Sequence, residues 1–187
     1  MRVTGGRVKG RRLASLKGFE IRPTSDLVRE AIFNLIGQDV SGAKVLDLFA
    51  GTGSLGIEAL SRGAQWAFFI DSSQRSVRLI KQNLERCGLD DRGFILKKDL
   101  NKGLPWPNAL LKEKIDLAFM DPPYRKGMVS SLLEELSNRE ILSSHAIVVA
   151  ETSKTESLPH QVGKLRLVKH RTYGETKVNI LECEDDA

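Results

Sequence analysis

The sequence has little of what marks secreted, metal-binding or membrane-spanning chains. Its two cysteines, Cys87 and Cys183, lie far apart in no CxxC or Cys/His spacing, which argues against a disulfide framework or a structural metal site and fits a reducing cytoplasm. No apolar run approaches the ~20 residues that a membrane helix needs. The first residues, Met-Arg-Val-Thr-Gly-Gly-Arg-Val-Lys-Gly-Arg-Arg, offer no apolar segment that could act as a secretory signal. His145, His160 and His170 belong to no nucleophile–base arrangement, so hydrolysis of the Ser/His or Cys/His kind has nothing to rest on. Repeats and linkers are missing too. With 187 residues, 41% hydrophobic and 28% charged, the chain suits one soluble domain with a sizeable core.

Charge is unevenly spread. Residues 1–22 carry seven basic side chains (Arg2, Arg7, Lys9, Arg11, Arg12, Lys17, Arg22) against Glu20 alone, a local balance of +6. The whole chain sums to +5, which leaves −1 for residues 23–187. A basic arm beside a neutral domain is an electrostatic grip for a polyanion, with nucleic acid the commonest kind. Glycines at 5, 6, 10 and 18, with polar and apolar residues alternating between them, favour a small hairpin. The chain is thus expected to divide into a basic arm, residues 1–22, suited to a nucleic acid, and a main domain, residues 23–187.

In that domain apolar runs alternate with amphipathic ones. Helices are expected from Pro23-Thr24 to Gly37, over Gly53–Arg62, Ser73–Cys87 and 128–138, and strands at Lys44–Phe49, Trp66–Ile70, Phe94–Lys97, 115–120 and Ala146–Ala150. Residues 101–113 are less regular, broken by Pro105-Trp106-Pro107. Two polar–apolar alternations, Lys164–His170 and Thr176–Glu182, close the chain as a hairpin. The expected fold is α/β and Rossmann-like: a seven-stranded, mostly parallel sheet with helices on both faces, an antiparallel C-terminal hairpin and the small N-terminal hairpin. Ligands gather outside the carboxyl ends of such strands, where the strand order reverses.

Two motifs lie at that rim. Strand one runs through Asp47 into Gly51-Thr52-Gly53-Ser-Leu-Gly56, a GxGxxG pattern with Asp71 twenty residues after Gly51. This is also a dinucleotide fingerprint, so a nicotinamide- or flavin-dependent oxidoreductase is a rival. Asp47 speaks for a different ligand: a pyrophosphate needs helix-terminal N–H groups and no carboxylate beside it, whereas an ammonium group gains from one. S-adenosylmethionine has an ammonium and a sulfonium at one end, with ribose hydroxyls and an adenine for Asp71 and Asp99 at the other. The second motif, Asp121-Pro122-Pro123-Tyr124, follows the apolar run 115–120. Its prolines leave the sheet as a stiff loop offering a carboxylate, fixed carbonyls and an aromatic ring, a set suited to an amino group on a flat base. Asp47, Asp71, Asp99 and Asp121 would thus each end one of the first four strands.

Leu46–Gly56, Asp71, Asp99 and Asp121–Tyr124 resemble the successive motifs of class I S-adenosylmethionine-dependent amino-methyltransferases. Gly5–Leu13 followed by Arg22-Pro-Thr24-x-Asp26-x-Val28-Arg29-Glu30-Ala-Ile-Phe33-Asn34 resembles, more narrowly, the bacterial 16S ribosomal RNA guanine-966 N2-methyltransferases, and the likeness covers essentially the whole chain. Asp71 stands where relatives often have Glu, and the acidic tail Glu182–Asp186 has no counterpart in the family pattern.

The resemblance implies S-adenosylmethionine as cofactor, held by Arg22, Thr24, Asp47, Phe49, Gly51, Thr52, Gly53, Asp71, Ser72, Asp99, Leu100 and Asp121. It implies catalysis by Asp121, Pro122, Pro123 and Tyr124, RNA contacts from Arg2, Arg7, Lys9, Arg11, Arg12 and Lys17, and no metal. The partner would be 16S ribosomal RNA in a partly assembled 30S particle with ribosomal proteins, met by a monomer. DPPY does not choose among exocyclic amines, so adenine N6, cytosine N4 and a protein glutamine stay open. So does a non-catalytic RNA-binding module, though it leaves the four strand-end carboxylates without a role.

Overall fold

Apolar strands and amphipathic helices alternate through most of the computed structural model, which describes residues 1–15, 26–123 and 127–184. In chain order they are α1 (Asp26–Ile36), β1 (Lys44–Leu48), α2 (Ser54–Ser61), β2 (Trp66–Asp71), α3 (Gln74–Cys87), β3 (Gly93–Lys97), α4 (Ala109–Lys112), β4 (Ile115–Met120), α5 (Met128–Asn138), β5 (Leu142–Ser153), β6 (Gln161–Val162), β7 (Leu165–Tyr173) and β8 (Thr176–Cys183). A 3₁₀ turn, Leu100–Lys102, follows β3. The strands form one sheet in the order β3-β2-β1-β4-β5-β8-β7-β6. The first five strands are parallel, and β8, β7 and β6 add antiparallel to the β5 edge. Strand order reverses between β1 and β4, so the binding rim lies where those two strands end.

The expected architecture holds, with two differences. β6 is an eighth strand of two residues, too short to show a period in sequence. β5 begins at Leu142 and not at Ala146, because its register against β4 shifts between Ile115 and Leu117 and His145 takes a left-handed φ of 59°. The polar Ser143-Ser144-His145 stretch of that bulge conceals the strand from an apolar-run reading.

Both faces of the sheet are covered. On one, Leu48, Met120, Ala150 and Leu181 pack against Leu132, Leu133 and Leu136 of α5. On the other, Val45, Phe69, Phe119 and Val178 pack under Ile32 and Phe33 of α1, Ile57 and Leu60 of α2, and Ile80 and Leu84 of α3. Every residue of α2 is buried. Phe33 meets Phe119 with ring centroids 5.8 Å apart, and the Arg62 guanidinium lies 4.6 Å from the Phe33 centroid. α3 is closed at both ends by local chemistry. The Ser73 hydroxyl accepts from the Arg75 and Ser76 N–H groups, and Gly88 takes the left-handed conformation that ends the helix.

The N-terminal arm belongs to this second layer. Val3 N–H donates to the Arg11 carbonyl at 3.0 Å and Gly10 N–H to the Val3 carbonyl at 2.8 Å, with one antiparallel bridge between Arg2 and Arg12. The expected hairpin is therefore a reversed loop held by an isolated bridge. Val3 and Leu13 reach the core, while Arg2, Arg7, Lys9, Arg11 and Arg12 are exposed. Lys17 lies outside the described residues.

Glu58 of α2 fixes the arm in place. Its wholly buried carboxylate accepts from Thr4 N–H at 2.8 Å, the Thr4 hydroxyl at 2.9 Å and Gly5 N–H at 2.7 Å. It also pairs with Arg29 at 3.1 Å and Arg62 at 2.9 Å. Arg29, also paired with Asp26, is buried and structural; Glu30 is exposed. Gly6 packs so tightly on α2 that a Cβ there would sit 2.0 Å from the Ser61 carbonyl oxygen.

Candidate active site

Strand pairing brings the two sequence motifs to one level. Leu48 of β1 is in register with both Ile70 of β2 and Met120 of β4. The next residues along the three chains, Phe49, Asp71 and Asp121, therefore stand on the same rung, at the end of the sheet. The chain turns from β1 into α2 through three left-handed residues, Phe49 (φ 60°), Gly51 (φ 56°) and Gly53 (φ 75°). For Phe49, a side chain with Cβ, that conformation is strained, as backbone at ligand sites often is.

The three glycines of the loop serve different ends. Among the described residues a Cβ on Gly51 would meet nothing nearer than the Phe49 carbonyl oxygen at 3.8 Å, so the loop presents bare backbone there. A Cβ on Gly53 would be 3.2 Å from Ile80. On Gly56 it would fall 2.3 Å from the Phe69 ring, so this glycine sets how closely α2 approaches β2.

Carboxylates hold this turn. Asp71 accepts from Gly51 N–H at 2.9 Å and from Ser73 N–H at 2.8 Å, tying the glycine loop to the start of α3. Each of its oxygens keeps a further lone pair for a ligand hydroxyl. Asp47 lies within β1, deeper than a strand-tip position; it is buried and accepts from Gly56 N–H at 2.9 Å. Burial pushes its carboxyl up to about 7, and the charges of Asp121 and Asp71 push the same way against the Gly56 N–H bond. Strand register sets Asp71 and Asp121 on either side of β1, with Asp47 below them in the middle strand. Asp99 caps the 3₁₀ turn, accepting from Asn101 N–H at 3.0 Å.

The remaining candidates divide. Asp121 is half-buried, Pro122 buried, and Pro123 and Ser72 exposed. Thr52 is buried, with its hydroxyl donating to the Met1 sulfur at 3.8 Å. The Leu100 side chain is in the core, leaving its backbone for a ligand. Arg22, Thr24 and Tyr124 lie outside the described residues. Among the described residues no group of three or more His, Cys, Asp or Glu is placed to hold a metal ion, and no helix is long and apolar enough to cross a membrane. A cavity of about 580 Å³ runs along the open edge of β3 past Lys81, Phe94 and Leu110, and none of the three rim acids lines it.

Two residues escaped the sequence reading. Asn83 of α3, wholly buried, donates to the Thr52 carbonyl at 2.9 Å and the Ala14 carbonyl at 3.1 Å and accepts from Ala14 N–H at 2.7 Å. It thereby joins the arm to the glycine loop. A polar residue on the apolar face of α3 was the available signal. Glu151 is buried on β5 at the level of Asp121, since Met120 pairs with Ala150. It is a further acid at the end of an apolar run, visible by the rule that marks Asp71 and Asp121.

This set of groups suits a cation with vicinal hydroxyls and repels a pyrophosphate. The comparisons with known proteins agree with the architecture. The family model described as conserved hypothetical protein 95 matches residues 1–182. YlbH of Bacillus subtilis is 38% identical over 182 residues, 96% of this chain and 97% of its own. Ribosomal RNA small subunit methyltransferase D of Escherichia coli is 28% identical over 188 residues, 98% of this chain and 90% of its own. Among solved structures, a conserved hypothetical protein of Streptococcus pyogenes superposes with a TM-score of 0.77 at 36% identity, covering 84% of this chain and 96% of that one.

Proposed function

The chain belongs to the conserved hypothetical protein 95 family, that of the ribosomal RNA small subunit methyltransferase D proteins, and from that membership we propose that it is a ribosomal RNA methyltransferase using S-adenosylmethionine. The finer reading is transfer to the exocyclic N2 of a guanine in 16S ribosomal RNA, guanine 966, on an assembling 30S particle. One observation carries the choice of chemistry: Asp47, Asp71 and Asp121 come together beside a left-handed glycine turn whose Gly51 has no close neighbour among the described residues.

S-adenosylmethionine supplies an electrophilic methyl group on a sulfonium centre. Asp71 takes the ribose hydroxyls, Asp99 the adenine amino group, and Asp47 with the Gly51–Gly53 backbone holds the amino-acid end. Guanine N2 is a weak nucleophile because its lone pair is delocalised into the ring. Asp121 and the Pro122 carbonyl accept hydrogen bonds from the two amino protons and turn that lone pair toward the methyl group. Tyr124 stacks on the base, a contact worth ~1–3 kcal/mol. The bound donor would supply its methyl to N2 and depart as a neutral thioether; Asp121 would then stand beside the positive charge left on N2 until one amino proton passes to solvent. Orientation and charge complementarity carry the rate without a covalent enzyme intermediate. A stacked base cannot reach the loop, so the target nucleotide is unpaired or flipped out.

The test is labelled methyl transfer to small-subunit RNA, and to 30S particles lacking the modification, followed by nucleoside analysis. Label on guanine N2 is expected. Label on adenine or cytosine overturns the assignment of the base, and binding of NAD without S-adenosylmethionine overturns the donor.

A further inference from the structure

The far edge of the sheet carries a group of cations that the arm does not account for. β6 covers only the root of β7, pairing Gln161 with Arg166 and Val162 with Leu165, and Leu167 N–H donates to the His160 carbonyl. From Val168 to Tyr173 the outer edge pairs with no strand among the described residues. Cations near the root are neutralised, Lys164 by Glu140 at 3.7 Å and Arg166 by Glu184 at 2.6 Å. At the turn, Glu175 is taken up by Lys154 at 2.7 Å. Lys169 and Arg171 are exposed and have no carboxylate partner among the described residues.

The ladder fixes where these two cations stand. Met120 pairs with Ala150, Ala150 with Asn179, and Asn179 with His170, so Arg171 is level with Asp121 three strands away. At ~4.8 Å per strand this is about 14 Å along the rim. Lys169 and Arg171 pair with Ile180 and Val178, which lie in the same core layer as Val3 and Leu13 of the arm. Both cations therefore stand on the face of the sheet that bears the arm.

Resting on the methyltransferase reading, we propose that Lys169 and Arg171 form a second phosphate-binding surface for the substrate RNA, which crosses the ends of β5 and β8 on its way from the catalytic loop. The target nucleotide is then gripped on both sides, by the arm and by the far sheet edge. Lysine on an edge strand also deters edge-to-edge pairing. That role would be served by charge anywhere along β7, whereas the unneutralised pair sits at the level of the active site.

The full-length chain carrying Lys169→Ala and Arg171→Ala, with Lys112→Ala as control, is compared with wild type for binding a small-subunit RNA fragment between 50 and 200 mM salt. The double variant is expected to bind about tenfold more weakly, with a salt slope smaller by about 1.5, as the loss of two phosphate contacts requires. Its S-adenosylmethionine affinity and melting temperature stay at wild-type values. Unchanged RNA affinity and slope in a chain that still methylates RNA overturn the proposal and leave the enzymatic reading intact. Self-association of the variant, with wild-type RNA binding by its monomer, overturns it in favour of edge protection. A wild-type chain that neither binds nor methylates RNA removes both.

Discussion

Asn83 and Thr52 are joined by a buried 2.9 Å hydrogen bond, through which a side chain of α3 holds the carbonyl of the glycine loop while its other contacts hold Ala14 of the arm. Removing the amide leaves the buried Thr52 carbonyl unpaired, at a cost of ~1–3 kcal/mol, and frees the partly buried Ala14 backbone as well. Asn83→Ala is expected to lower the melting temperature and to weaken S-adenosylmethionine binding, both measurable on one sample by calorimetry. An Asn83→Ala protein with full stability and full affinity would show that arm and loop are set independently.

Asp121 is assigned to the base, and the loop and Asp71 to the cofactor. Asp121→Ala should abolish methyl transfer while S-adenosylmethionine affinity stays within a few-fold of wild type. Gly51→Val should do the reverse, damaging affinity first, because its side chain enters the space the ligand needs and the φ of 56° is unfavourable with a Cβ. Equal loss of binding in both variants would contradict the division of labour.

Asp47 makes the protein sensitive to pH. Its folded carboxyl titrates near 7 against about 3.9 in an unfolded chain. Between those values the folded state holds a proton that the unfolded state has released, so this group's contribution to stability falls as pH rises from about 4 to 7. Asp47→Asn should flatten the stability profile and gain more relative to wild type at pH 8 than at pH 5, as read by denaturant melts. A cation bound among the acids favours ionised Asp47, so S-adenosylmethionine should bind more tightly as pH rises through 7, with proton release that Asp47→Asn abolishes.

Glu58→Ala leaves the buried Arg29 and Arg62 guanidinia short of their shared carboxylate, a loss of ~3–5 kcal/mol for a broken buried pair. It also frees Thr4 and Gly5. Limited trypsin digestion should then cut after Arg7, Lys9, Arg11 or Arg12 under conditions in which the wild-type arm resists. An arm equally protected in the variant would mean that Val3 and Leu13 suffice to dock it.

The order of elements was legible because the parallel strands are apolar on both faces and the helices carry clear periods and stops, as in α5, read at 128–138 and found there. The strand-end positions of Asp71 and Asp121 were legible because each follows an apolar run. The role of Glu58 was hidden: its sequence neighbours give no sign that a helix buried on all sides would accept a strand-like arm from more than fifty residues away. Asp47 was expected at a strand tip and lies within the strand, buried under the start of α2, since sequence places a residue along a strand but does not say how far the following helix folds back over it. β6 and the early part of β5 exist through their partners and have little pattern of their own.

The anchors of the arm also dictate when it can take shape. Thr4 and Ala14 leave the ribosome ahead of their partners Glu58 and Asn83, which follow 54 and 69 residues later. At ~5–20 residues per second that is a wait of several seconds. Until then Thr4 and Ala14, which flank Arg7, Lys9, Arg11 and Arg12, lack the contacts that fix them, and the loop between them is fastened to its own protein only when α2 and α3 emerge.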